Sequence, residues 1–180
     1  MKLKESKITS KLLYDGKIMK VFLDDVRLPD GEKSKREYIR HCGGAAVLFI
    51  KDGCVALVKQ YRYAYATEMY EIPAGRIDEG EEPETAAIRE LEEETGYRAA
   101  KVEKLFEIYP SPGYTDEIIH IYKVIQADFV GEKLDEGEFL NCEFIPLKKV
   151  VKMIEKRDIC DAKTVCAIYK YIADNSILTE

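Results

Sequence analysis

The sequence has no tryptophan and only two histidines. It also lacks any apolar run near the roughly 18 residues that a membrane span needs, so no transmembrane helix is expected. The opening MKLKESKITSK has no apolar core, so no signal peptide is expected either. No Cys-x-x-Cys pair occurs among Cys42, Cys54, Cys142, Cys160 and Cys166. Their odd number and irregular spacing predict free thiols in a reducing cytoplasm, most of them in apolar or strand-like surroundings, and argue against a zinc site. His41 and His120 are far apart and have no Ser or Cys partner in a recognisable arrangement, which argues against a histidine-driven nucleophile. Positive charge is short as well: 28 Lys and Arg against 34 Asp and Glu leave a net charge of −6. That balance disfavours a nucleic-acid partner unless a metal mediates. Internal repeats and low-complexity tracts are absent.

What the chain has in excess is carboxylate, and it is concentrated. Nine acidic residues lie between Asp78 and Glu94, with Arg89 as the only base among them. Glu90, Glu93 and Glu94 stand at i, i+3 and i+4, one face of a helix. Like charges so placed repel by roughly a few tenths of a kcal/mol per pair. A solvated acidic helix is the plain reading of such a run. A divalent cation would instead turn the repulsion into ligation, and hard oxygen donors suit Mg2+ or Mn2+. The helix is well punctuated. Pro83 suits a first turn, and Glu81, Glu82 and Glu84 lie near its positive end. Ala87, Ile88, Leu91 and Thr95 make a core-facing stripe, and Gly96 suits a left-handed stop. The outer face is then acidic.

Around this helix the chain reads as β-rich, helix, β-rich, helix. Alternating segments over 8–30, an Asp30-Gly31 turn and Arg36–Cys42 predict a small N-terminal antiparallel sheet. Ala45–Ile50 and Cys54–Tyr61 predict a hairpin turning at Lys51-Asp52-Gly53. A short strand at Met69–Ile72, strands at Ala100–Tyr109, Glu117–Phe129 and Phe139–Ile145, and helices at Pro146–Glu155 and Ala162–Ala173 follow. Ser111 to Glu117 reads as a turn-rich loop. The class is α+β, a mixed sheet flanked by helices. We expect N-terminal strands over 1–42 and the main domain over 43–180.

Gly75, Glu81, Arg89-Glu90-Leu91, Glu93-Glu94, Gly96 and Tyr97 match, position by position, the signature that marks the Nudix hydrolases. Only Tyr97 stands in a usually aliphatic slot. The likeness narrows further to the ADP-ribose pyrophosphatases through Gln60-Tyr61-Arg62, Glu71-Ile72-Pro73-Ala74-Gly75, Ser111-Pro112-Gly113 and Asp161-Ala162-Lys163-Thr164, and covers roughly residues 35–175. The resemblance implies an α/β/α sandwich with a mixed sheet. It implies metal held by Glu90, Glu93, Glu94 and the carbonyl of Ala74, and Arg89 orienting the glutamates. From spacing alone, Arg89 reads equally well as a surface ion pair. It further implies a general base on the loop at 135–138, Glu136 or Glu138, and substrate contacts from Arg62, Glu71 and Pro112. Arg36 would reach the adenosine side across a homodimer formed through the N-terminal strands. The implied reaction is metal-dependent hydrolysis of ADP-ribose to AMP and ribose 5-phosphate. Two alternatives stay open: the same chemistry on another nucleoside diphosphate sugar or an oxidised nucleotide, and a Nudix-fold module that senses ADP-ribose without cleaving it.

Overall fold

The computed structural model describes residues 3–131 and 139–177. Its contacts divide the chain into two compact units, Met1–Gly43 with Tyr109–Ile118, and Gly44–Ile108 with Ile119–Glu180.

The first unit is an antiparallel sheet in the order β1 (Ser6–Asp15), β2 (Met19–Arg27), β3 (Lys33–His41). The β2–β3 turn is closed at Gly31, whose φ of 95° only glycine adopts without strain. Phe22 and Tyr38 stand opposite each other and stack at 5.4 Å, and Asp25 accepts from Thr9 Oγ1 at 2.7 Å and Lys35 Nζ at 2.8 Å. The segment 109–118 is stitched to β3. Ile39 N–H donates to the Tyr114 carbonyl at 2.7 Å and Asp116 N–H to the Ile39 carbonyl at 3.2 Å. The Asp116 carboxylate accepts from His41 N–H at 2.9 Å and from Arg40. All ten residues of β1 are exposed.

The second unit holds two sheets. One has the order β8 (Ala74–Arg76), β4 (Gly44–Leu48), β10 (Ile119–Phe129), β9 (Tyr97–Ile108), and mixes a parallel β4–β10 pair with antiparallel neighbours. In the other, β6 (Cys54–Arg62) pairs with β11 (Leu140–Pro146), β5 (Ile50–Lys51) and β7 (Thr67–Glu71). Side chains alternate across a strand, so β4 feeds two cores. Ala45 and Val47 pack with Ala86, Ala87 and Leu91 of α1 (Pro83–Thr95). Ala46 and Leu48 pack on the other side with residues of α2 (Leu147–Glu155) and α3 (Ala162–Asp174). This is the expected α/β/α arrangement.

One expectation needs correction. Asp52 and Gly53, at φ of 51° and 75°, do make the tight turn, but the hairpin is only β5 on β6. The run Ala45–Ile50 breaks at Phe49, and β4 joins the other sheet. Every residue of β4 is buried; a strand covered on both faces shows no alternation, so its pattern does not say which neighbour it takes. The thiols also differ from expectation: none of the five forms a disulfide, but Cys42, Cys160 and Cys166 are exposed, and Cys54 and Cys142 are half-buried on β6 and β11. No helix among the described residues is long and apolar enough to cross a membrane.

Candidate active site

The acidic helix is α1. Pro83 stands at its first turn, and it ends at Gly96 (φ 73°), whose N–H donates to the Glu92 carbonyl at 2.9 Å. Tyr97 packs as an aromatic, 5.1 Å from both Phe49 and Phe129, with Lys51 Nζ donating to its hydroxyl at 3.0 Å. The expected stripe faces the core, but the buried face is wider than that stripe. Ile88 is half-buried, whereas Ala86, Glu90 and Glu94 are buried beside Ala87, Leu91 and Thr95. The acidic side is therefore not simply an outer face: Glu90 is 8% and Glu94 4% exposed. α1 contacts β8, β4, β9 and β10 as well as β6 and β11, and a helix so surrounded buries more than one stripe.

Two features make room for buried carboxylates. A Cβ at Gly75 would collide with the Glu90 carboxylate, so the missing side chain provides its space. Ala74 N–H donates to Glu94 Oε2 at 2.9 Å. Arg89 gathers the remainder. Its Nε and Nη2 fork onto the two oxygens of Glu81, each at 3.0 Å, while Nη1 donates to Glu90 at 2.7 Å and Glu93 at 3.0 Å. Nη2 also donates to the Arg76 carbonyl at 3.1 Å. The Glu81 fork, against the opposing pull of burial, raises the Arg89 pKa above its ordinary value. The same fork holds the Glu81 carboxyl below the usual range.

Among the described residues no group of three or more Asp, Glu, His or Cys side chains is arranged to hold a metal ion; Arg89 draws on the oxygens of Glu90 and Glu93 instead. The donor set nonetheless suits a hard divalent cation. It consists of carboxylates within one helical turn, two of them buried, beside a glycine that keeps the approach to Glu90 open.

A second network adjoins the Glu71–Ala74 segment. Arg62 forks onto Glu71 at 2.6 and 2.7 Å. Glu71 also accepts from Lys163, which donates to Asp161 at 3.0 Å. Asp161 caps α3, accepting from Thr164 N–H at 3.0 Å and Thr164 Oγ1 at 2.6 Å. Thr164 Oγ1 in turn accepts from Ile72 N–H at 2.8 Å. Burial pushes the Glu71 carboxyl up, but Arg62 and Lys163 more than offset it and hold it below the usual range. Arg62 is raised chiefly by Glu71, with smaller contributions from Asp161 and Glu94.

The structure therefore brings together Arg89, Glu90 and Glu93, joins Ala74 to Glu94, and joins Arg62 to Glu71. Arg36 and Pro112 belong to the first unit, where Arg36 pairs with Glu5 and donates to the Lys35 carbonyl at 2.8 Å. Glu136 and Glu138 lie outside the described residues. Sequence reasoning gave no role to Lys163, Asp161 or Thr164. The signal was there: an Asp three residues before a Thr at the start of an apolar helical pattern reads as a cap.

Residues 40–167 match the NUDIX domain family, and residues 5–39 match the nucleoside diphosphate sugar hydrolase N-terminal domain. The chain is 43% identical over 169 residues to an ADP-ribose pyrophosphatase of Bacillus subtilis (strain 168), covering 92% of this chain and 91% of that protein. It is 40% identical over 167 residues to a methanol dehydrogenase activator of Bacillus methanolicus, covering 91% and 90%. A crystal structure of an ADP compounds hydrolase superposes with a TM-score of 0.86 at 20% identity, covering 99% of this chain and all of that one, a likeness of fold.

Proposed function

This chain belongs to the Nudix family, and from that premise we propose that it hydrolyses the diphosphate linkage of ADP-ribose to AMP and ribose 5-phosphate. The observation that carries the reading is the Gly75–Tyr97 element itself, with Glu90 and Glu94 buried, Gly75 leaving room for one and Ala74 bonded to the other. A sensing module needs no such investment in buried carboxylates.

Glu90, Glu93, Glu94 and the Ala74 carbonyl would hold Mg2+, with Mn2+ as a substitute. The chemistry such an ion supplies is neutralisation of the diphosphate charge and acidification of water. Arg89 keeps Glu90 and Glu93 oriented, and its fork to Glu81 supports that geometry. Arg62, anchored by Glu71, binds a phosphate or the terminal ribose; a planar guanidinium suits phosphate oxygens. Pro112 is a further substrate-binding residue, and Arg36 of one subunit serves the adenosine side of the substrate held by its partner. Water adds to one phosphorus, the bridging P–O bond breaks, and the proton of the water passes to Glu136 or Glu138.

The protein works as a cytoplasmic homodimer joined through its N-terminal strands, residues 1–42, with residues 43–180 as the catalytic domain. Support comes from β1, exposed along its whole length with Ile8, Leu12, Leu13 and Tyr14 at the surface; an apolar strand so placed gains from a partner. Hydrolysis of ADP-ribose with Mg2+, run beside other nucleoside diphosphate sugars with products separated by chromatography, tests the reading. AMP and ribose 5-phosphate are the expected products, and preferential cleavage of another sugar nucleotide would move the assignment there.

A further inference from the structure

We propose that Lys163 is a positioning residue that sets the diphosphate-binding geometry of Arg62 by acting through Glu71; this rests on Arg62 being a substrate-binding residue. Glu71 is 3% exposed and Lys163 is 7% exposed, so both charges are out of water and each needs the other. Their placement is overdetermined. Lys163 bonds to Glu71 and Asp161, Asp161 to Thr164, and Thr164 to the N–H of Ile72, the residue next to Glu71. The circuit closes on itself and ties the first turn of α3 to the end of β7.

Arg62 is the most exposed member of this group, its side chain 41% exposed against 16% for Asp161. It uses Nε and Nη2 on Glu71, and among the described residues nothing accepts from Nη1. Glu71 thus orients the guanidinium plane and leaves one edge to meet a phosphate oxyanion. The charge of Glu71 is shared with the interior ammonium of Lys163, so Glu71 does not hold Arg62 as its sole counter-ion. Without Lys163, Glu71 would be a buried carboxylate with one cation left. It would then compete with the diphosphate for Arg62 more strongly, because a buried charge left half-satisfied is costly. Affinity for the diphosphate would fall while the chemistry at α1 stayed intact.

The test is steady-state kinetics with ADP-ribose on the wild type, Lys163→Met, Arg62→Ala and the double variant. Lys163→Arg serves as the rescue. Lys163→Gln, uncharged but still hydrogen-bonding, takes the place of Lys163→Met should the latter not fold. Lys163→Met is expected to raise KM about tenfold with kcat within about threefold, and Lys163→Arg to restore most of that loss. In the double variant KM should be no higher than with Arg62→Ala alone, since both changes remove one interaction. If Arg62→Ala raises KM but Lys163→Met does not, or if the two effects add, Lys163 serves only the fold and the inference is overturned. If Arg62→Ala leaves KM unchanged, the substrate role of Arg62 fails, and the inference with it. If the wild type releases no AMP, the proposed activity itself is wrong.

Discussion

Glycine at position 75 separates stability from activity. A side chain there would meet the movable carboxylate of Glu90. Gly75→Ala should therefore fold with stability within about 1 kcal/mol of wild type, since a flexible carboxylate can swing away. Its activity should fall on the order of a hundredfold, because a ligand displaced by about an ångström disrupts the reacting geometry. Urea unfolding and the rate of AMP release, measured on the same preparation, check both halves. At this scale the sequence spoke clearly about residue type: Gly75, Arg89, Glu90, Glu93 and Glu94 stood out by spacing. It did not reveal burial. Glu90 and Glu94 lie inside because of what β8 offers them, and a carboxylate reads the same in a sequence whether wet or dry.

Among the elements, α1 was legible at both ends, where Pro83 and Gly96 act through local backbone preference. The full width of its buried face was not, because it also packs against β6 and β11, strands distant in sequence. The same limit explains β4. Its apolar run announced a strand, and Asp52-Gly53 announced a turn, but sheet membership is decided by the parallel partner β10, seventy-odd residues on. At α3, Asp161→Ala removes the cap and a bond to Lys163. It should cost about 1–2 kcal/mol in denaturant unfolding. The loop at 109–118 is fastened by its side chain Asp116 to β3. Asp116→Ala should leave α1 chemistry unchanged in kcat, expose 109–118 to limited proteolysis, and cost about 1 kcal/mol or less, since the Arg40 pair is solvent-screened.

For the molecule as a whole, several carboxyls share one dependence on acid. Glu71 is lowered by Arg62 and Lys163 against the pull of burial, Glu81 by Arg89, and Asp116 by Arg40 and His41 N–H, again against burial. Their folded pKa values lie below their ordinary ones, so the stability they contribute is complete above the ordinary carboxylate range. It is lost as pH falls through the lowered values. Denaturant unfolding at a series of pH values should show a plateau near neutrality and a decline that begins below about 4.5. A midpoint insensitive to acid would mean these pairs contribute nothing net.

We propose that the carboxylates of α1 bind a divalent cation to cleave ADP-ribose. The most direct test is release of AMP from ADP-ribose by the wild type and by Glu94→Gln, each with Mg2+ and with excess chelator. Rapid release by the wild type with Mg2+, none with chelator, and a loss on the order of a thousandfold in Glu94→Gln at unchanged folding are expected. Undiminished release in chelator, or by Glu94→Gln, would contradict it.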